Sequence, residues 1–68
     1  MPIVKIIELI GESPNSWDEA MKNLITEAQQ TLRGITRIGV REMDVRLVDD
    51  RVDVYRVRAE VSFRVIRS

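Results

Sequence analysis

The sequence predicts a small α+β domain in which one amphipathic helix packs on a three-stranded antiparallel sheet. Three patterns indicate this fold: a β-branched apolar run, one stretch of helical periodicity, and two strand-like runs joined by a short polar turn. The element order is therefore β-α-β-β. A crossover helix makes the first two strands parallel, and a hairpin makes the third antiparallel to the second. Placing the third strand in the middle gives the strand order 1-3-2, in a single domain over residues 1–68.

The first strand is predicted from Ile3 to Ile10, where both alternating rows of side chains are apolar. One helix can cover only one face of the sheet, so the other row needs a different cover. The two rows are Ile3, Ile7 and Leu9, and Val4, Ile6 and Ile10. We expect the row that the helix leaves uncovered to meet another subunit. Gly11 is expected to end the strand.

The helix is predicted to start at Ser16, because Ser16 and Glu19 have the spacing of a capping box. Apolar residues then recur at steps of three and four positions, with polar residues opposite them. The apolar stripe consists of Trp17, Ala20, Met21, Leu24, Ile25, Ala28 and Leu32. Gly34 is expected to cap the C-terminus, with Arg33 in the last turn, which gives roughly 17 helical residues.

The second strand follows the helix, and its apolar phase slips near Arg41 and Glu42. Such a slip predicts a β-bulge or a sharp twist that returns the apolar residues to the buried face. Residues 49–51 (Asp-Asp-Arg) are predicted to form the polar turn of a hairpin.

The third strand is predicted from Val52 to Ile66, with one phase shift after Val54. Beyond that shift the alternation is regular, so we expect the helix to cover one row and the opposite row to be mainly arginine. The covered row consists of Tyr55, Val57, Ala59, Val61, Phe63 and Val65.

Composition excludes several classes of function. Eleven basic and eleven acidic residues cancel, so no net field favours nucleic acid or an anionic membrane as a partner. The absence of Cys and His removes disulfides, ordinary zinc and iron–sulfur sites, and the commonest general base. No catalytic motif with a known mechanism occurs, so we expect a non-enzymatic protein.

The small size of the chain points to self-association. A domain of 68 residues is marginally stable alone, and without disulfides or metals a homo-oligomer is the expected source of added stability. The start at Met1 lacks the basic, apolar and small-residue segments of a signal peptide, so we expect a cytoplasmic location.

Two groups of charged residues are candidate ligand sites. The first is a row of arginines whose guanidinium groups could bind phosphate or carboxylate: Arg37, Arg41, Arg56, Arg58 and Arg64. The alternative is a solvated or intersubunit face on which these arginines pair with Glu8, Glu42 and Glu60.

The second group is acidic and lies at the predicted hairpin turn. Asp49, Asp50 and Asp53, with Asp44 nearby, offer the oxygen ligands that calcium prefers, although the spacing is not that of a known calcium loop. An exposed turn needs polar residues in any case. Trp17 is either a stacking platform for an aromatic ligand or an apolar plug in a core or interface.

With these elements in place, the segments VKIIELIGESPNSWDEAMKNLITEAQQTLRGI and VYRVRAEVSFRV resemble the opening and the closing strand of dodecins. The resemblance covers nearly the whole chain. It implies β-α-β-β subunits that assemble as a homododecamer into a hollow shell. It also implies a non-enzymatic role in storing or buffering a flavin, FMN or riboflavin.

The resemblance also implies ligand-binding positions at Arg37, Glu42, Arg56 and Arg64. Flavin-binding dodecins carry a stacking Trp at the first of these and a Gln at the third. Both are arginine here, so we predict weak or absent flavin binding. In this respect the chain is similar to the branch called calcium dodecins. Three functions stay open: an atypical flavin store, a calcium- or anion-binding shell, and an enzyme subunit or adaptor whose partner is another protein.

Overall fold

The chain folds as one helix on a three-stranded antiparallel sheet, as a computed structural model of residues 3–65 describes. Its elements are β1 (Val4–Ser13), α1 (Trp17–Thr31), β2 (Ile35–Val48) and β3 (Arg51–Arg64). β3 lies in the middle and is antiparallel to both neighbours, giving the order β1-β3-β2. The predicted element order and strand order are confirmed. Ile66, the predicted end of the third strand, lies outside the described residues.

Strand β1 continues through Gly11 to Ser13, so the prediction that Gly11 ends the strand is wrong. Gly11 pairs with Val57, and the helix backbone lies directly over it. A Cβ atom at Gly11 would lie 2.3 Å from the carbonyl oxygen of Ala20 and 2.8 Å from Cβ of Leu24. Glycine at this position therefore permits close packing of the helix on the sheet.

Helix α1 begins at the predicted cap. The hydroxyl oxygen of Ser16 accepts a hydrogen bond from the backbone N–H of Glu19, at 3.0 Å. The Glu19 carboxylate accepts a bond from Nδ2 of Asn15, at 3.1 Å. Asp18 and Glu19 also place negative charge at the positive end of the helix dipole.

Replacing Ser16 by alanine removes this cap, and we expect Ser16→Ala to lower the free energy of unfolding by about 1 kcal/mol. Urea denaturation followed by circular dichroism measures the change. Thr26→Ala, at an exposed position inside the same helix, is the matched control and should be neutral or slightly stabilising. Equal losses in the two variants would contradict a capping role for Ser16.

The end of the helix differs from the prediction. The last helical residue is Thr31, and Leu32 is the C-cap in an extended conformation, with its N–H donating to the carbonyl oxygen of Ala28. The side chain of Leu32 packs against the core. Gly34, the predicted cap, instead lies in the connection to β2 with a positive φ of 74°. Arg33 therefore also lies beyond the last turn.

The irregularities of the hairpin follow the phase shifts in the sequence. The β2–β3 register shifts between Val40 and Glu42, which confirms the predicted bulge. A second shift leaves Asp53 without a paired residue, and this accounts for the change of phase next to Val54. Residues 49 and 50 form the turn with φ angles of 52° and 62°, the conformation of a two-residue hairpin turn.

The core lies between α1 and the predicted row of β3. Its buried apolar residues are Ala20, Leu24, Ala28, Val57, Ala59 and Val61. Half of these are alanines, so the core is small. The helix of the described residues falls short of the length and apolar character required to cross a bilayer.

The molecule is elongated because the β2–β3 hairpin extends past the end of β1, which pairs no further than Ser13 with Tyr55. The radius of gyration is 14.0 Å, whereas a compact chain of this length has about 11 Å. The accessible surface is 5391 Å², against about 4,400 Å² for a compact monomer of this mass. The fold thus leaves an unusually large surface uncovered for its size.

Candidate ligand site on the outer face of the sheet

We call the face of the sheet opposite α1 the outer face. Strand pairing and alternation decide which side chains it carries, because residues directly opposite each other share a face. β3 contributes Val54, Arg56, Arg58, Glu60, Ser62 and Arg64, β1 contributes Val4, Ile6, Glu8, Ile10 and Glu12, and β2 contributes Arg37, Gly39, Arg41, Glu42, Asp44 and Arg46. All four ligand-binding positions implied by the resemblance lie on this face.

Most apolar side chains of the outer face belong to β1. Val4, Ile6 and Ile10 point away from the helix, and Ile6 is 59% exposed. Neighbouring apolar side chains on one strand form a patch rather than scattered contacts with water. Within the described residues of a single chain nothing covers this patch.

Arg58 links all three strands on the outer face. Its Nη1 donates a hydrogen bond to Oε1 of Glu42 on β2, at 3.0 Å. Its Nε lies 3.9 Å from Oε1 of Glu8 on β1. These pairs are exposed and contribute little to stability individually, but they fix the direction of the guanidinium group.

Arg56 has a similar position one step along β3. Its Nε lies 3.3 Å from a carboxylate oxygen of Glu12 and 4.0 Å from one of Asp44. This Nε is shielded from solvent and has no hydrogen-bond partner among residues 3–65. Arg56 is thus flanked by two carboxylates at the position where flavin-binding relatives are expected to carry an uncharged amide.

The bulge in β2 brings two consecutive side chains to the outer face. Nε of Arg41 lies 3.9 Å from Oε1 of Glu60, while the next residue, Glu42, reaches Arg58. In a regular strand these neighbours would point to opposite faces. The arginine–carboxylate pairing that the sequence offered as an alternative therefore exists for Glu8, Glu42 and Glu60.

Among the residues that the structure describes, Arg41, Arg56 and Arg58 each have a carboxylate partner on the outer face, and Arg37 does not. No carboxylate among residues 3–65 forms an ion pair with Arg37, and its side chain borders a depression of about 240 Å³. The depression is lined by Arg37, Gly39, Val40, Arg41, Glu60 and Ser62.

The four implied positions do not form one cluster within a chain. Glu42 and Arg56 lie towards the hairpin, whereas Arg37 lies opposite Ser62 and close to Arg64. Eight residues of extended strand separate Arg56 from Arg64, about 26 Å. Arg64 also borders a groove of about 550 Å³ at the other side of the sheet end, together with Lys5, Thr31, Leu32, Arg33, Phe63 and Val65.

The carboxylates at and near the hairpin turn do not converge on one point. Nε of Arg46 donates to the carboxylate of Asp53, at 2.9 Å. This hydrogen bond and the charge of Asp53 raise the pKa of Arg46. No group of three or more acidic side chains is gathered for a metal ion anywhere in residues 3–65. Calcium binding by Asp49, Asp50 and Asp53 stays a prediction without support from a single chain.

Trp17 anchors the start of the helix to the hairpin. Its ring lies edge-to-face with Tyr55 at a centroid distance of 5.0 Å, and its Nε1 donates to the backbone oxygen of Asp44 at 3.1 Å. These contacts fit the alternative of a packed plug better than that of a stacking platform.

The sequence patterns did not identify Glu12 and Gly39 as residues of the outer face. For Gly39 a signal existed, because a glycine inside a strand often marks a place where a ligand or another backbone comes close.

Comparisons with known proteins give the same family in sequence and in fold. The sequence profile of the family described as Dodecin matches residues 3–66. Calcium dodecin of Mycobacterium tuberculosis is 32% identical over 65 residues, 96% of this chain and 92% of that protein. The dodecin structure from Streptomyces coelicolor has a TM-score of 0.89 at 30% identity, covering 98% of this chain and 96% of that one. The structure of M. tuberculosis calcium dodecin, described as calcium-chelating with a novel calcium-binding site, has a TM-score of 0.83 at 31% identity, covering 97% and 94%.

Proposed function

The chain belongs to the dodecin family, and from this premise we propose that it is a subunit of a non-enzymatic homo-oligomeric shell that binds a small ligand other than a flavin. The observation that carries the proposal is the outer face, where an uncovered apolar row lies beside arginines at the family's flavin positions. The shell expected from the family is a dodecamer.

The apolar row supports self-association. The buried core is small and half alanine, while Val4, Ile6 and Ile10 are exposed on β1. Covering such a row against a second copy removes apolar surface from water at about 25 cal/mol per Å². A second copy of the same chain can bury this row, because a two-fold symmetric interface uses the same patch on both subunits.

The arginines at positions 37 and 56 argue against flavin. A stacking aromatic side chain contributes about 0.5–1.5 kcal/mol beyond its buried area, and Arg37 supplies none of this while bringing a charge that must be desolvated. Arg56 is held between Glu12 and Asp44, so an uncharged ring edge would have to displace an ion pair. We therefore expect FMN and riboflavin to bind weakly or not at all.

Calcium is the second candidate ligand, because the chain is 32% identical to a calcium dodecin. Exposed carboxylates are available at Asp49 and Asp50, and two copies could combine theirs into one site. A rise in melting temperature with calcium that EDTA reverses and Asp50→Ala abolishes would support this function. An unchanged melting temperature would count against it.

The purified wild-type protein tests the main proposal directly. We expect light scattering to give a mass near twelve times 7.9 kDa, the absorption spectrum to lack a flavin band, and riboflavin and FMN to keep their fluorescence at micromolar protein. A folded monomer would contradict the shell. Strong quenching of riboflavin would contradict the loss of flavin binding.

A further inference from the structure

Neither steric contact within residues 3–65 nor a positive φ requires a glycine at position 39. Gly11 is required by the helix backbone packed over it, and Gly34 by its positive φ of 74°. At Gly39, by contrast, an added Cβ would meet no atom within 4 Å. Glycine weakens a strand interior, and in strands it often marks a place where a ligand or another backbone approaches closely.

The surroundings of Gly39 are positively charged. It lines the 240 Å³ depression together with Arg37 and Arg41. Arg37 has no ion pair among residues 3–65, and Arg41 has only a long contact of 3.9 Å with Glu60. Two arginines against one carboxylate leave a net positive charge at this point of the outer face.

Two register shifts border the same segment of β2. One lies between Ile35 and Arg37 and the other between Val40 and Glu42. Bulges redirect side chains and are common next to binding sites. Here the second bulge turns Arg41 to the outer face together with Glu42, so that both Arg37 and Arg41 line the depression.

We infer that this depression binds an oxyanion, the phosphate group of a small ligand, between the guanidinium groups of Arg37 and Arg41. The Ser62 hydroxyl lines the same depression and is a further donor, and the absent side chain of Gly39 gives the ligand room on the strand. Arginine matches the geometry of phosphate with paired N–H donors. The inference deepens the proposed function and rests on it, because it names the ligand class of a shell that has lost its flavin site.

The size of the depression favours a small group. Sites for drug-sized ligands measure about 300–1,000 Å³, and this one is smaller, at about 240 Å³. A phosphate on a short organic group fits this space better than a tricyclic ring. FMN also carries a phosphate, so the experiment includes FMN and riboflavin to separate recognition of phosphate from recognition of the ring.

Equilibrium dialysis with radiolabelled inorganic phosphate tests the site in the assembled wild-type protein, with chloride keeping the ionic strength constant. We expect saturable binding that weakens at least tenfold in Arg37→Ala and is lost in Gly39→Val, which adds a branched side chain to the depression at a position where a Cβ meets no atom of residues 3–65 within 4 Å. Arg51→Ala, which removes an exposed arginine of the hairpin, is the control and should bind as the wild type does. Circular dichroism and light scattering verify that each variant is folded and assembled.

An assembled wild-type protein that binds no phosphate would overturn the inference and leave the proposed shell intact. Equal binding by Gly39→Val and wild type would also overturn it, even if Arg37→Ala failed to assemble. Weak FMN binding that inorganic phosphate displaces, with no binding of riboflavin, would support it, since only FMN carries phosphate. A folded wild-type monomer, by contrast, would remove the proposed function itself.

Discussion

Ile6→Glu is expected to convert the proposed oligomer into a monomer of 7.9 kDa. Ile6 lies in the middle of the apolar row on β1 and is 59% exposed in the single chain. Burying such a side chain contributes about 1.5–3 kcal/mol, and a two-fold interface uses it twice. A carboxylate in the same place would have to be desolvated without a partner, which adds a further cost. A loss of about 4 kcal/mol per interface weakens association roughly a thousandfold.

Light scattering coupled to size-exclusion chromatography measures this mass. Gln30→Glu is the matched control, because it adds the same charge at an exposed helical position away from the outer face. We expect the control to keep the wild-type mass. If Ile6→Glu also kept that mass, the apolar row of β1 would not be the surface that joins the copies.

The parts of the fold that sequence predicts well are those set by local periodicity. The two apolar rows of β1 indicated both a covered and an uncovered face, and the structure exposes Val4 and Ile6 on the latter. The slip of phase near Arg41 predicted a bulge at the point where the register shifts. Side-chain alternation carries this information without reference to any distant residue.

The parts that sequence missed depend on tertiary contacts. Gly11 has the appearance of a strand end, and only the position of Ala20 over it explains why the strand continues. Because β1 was expected to end there, Glu12 could not be recognised as a partner of Arg56. The helix also ends before Gly34: Leu32 is already extended, and its side chain packs against the core.

The sequence predicted that arginines and glutamates could pair on the outer face, but not which arginine pairs with which carboxylate. The sequence supplies equal numbers of acidic and basic residues, and this balance alone cannot say which arginines pair with a carboxylate and which do not. Register decides it: Arg58 lies opposite Glu42, whereas Arg37 lies opposite Ser62. The difference between a neutralised arginine and one free for a ligand is therefore a property of strand pairing.

The double variant Arg37→Trp, Arg56→Gln is expected to gain flavin binding. It restores the aromatic ring and the amide that the family resemblance implies at these positions. Stacking contributes about 0.5–1.5 kcal/mol per ring contact, and removal of two charges lowers the desolvation cost of an uncharged ring. Together these changes should tighten riboflavin binding at least tenfold, or by about 1.4 kcal/mol. Quenching of riboflavin fluorescence measures the affinity.

The same variant should lose phosphate binding, because Arg37 is one of the two guanidinium groups that border the depression. Ligand preference would then switch from an anion to a neutral ring through two side chains. Arg51→Trp, which adds an indole on the hairpin away from the site, is the control and should change neither ligand. An assembled double variant that leaves riboflavin fluorescence unquenched would mean that something other than these two arginines excludes the flavin ring. Arg37→Trp alone separates the two contributions, because it leaves Arg56 between Glu12 and Asp44.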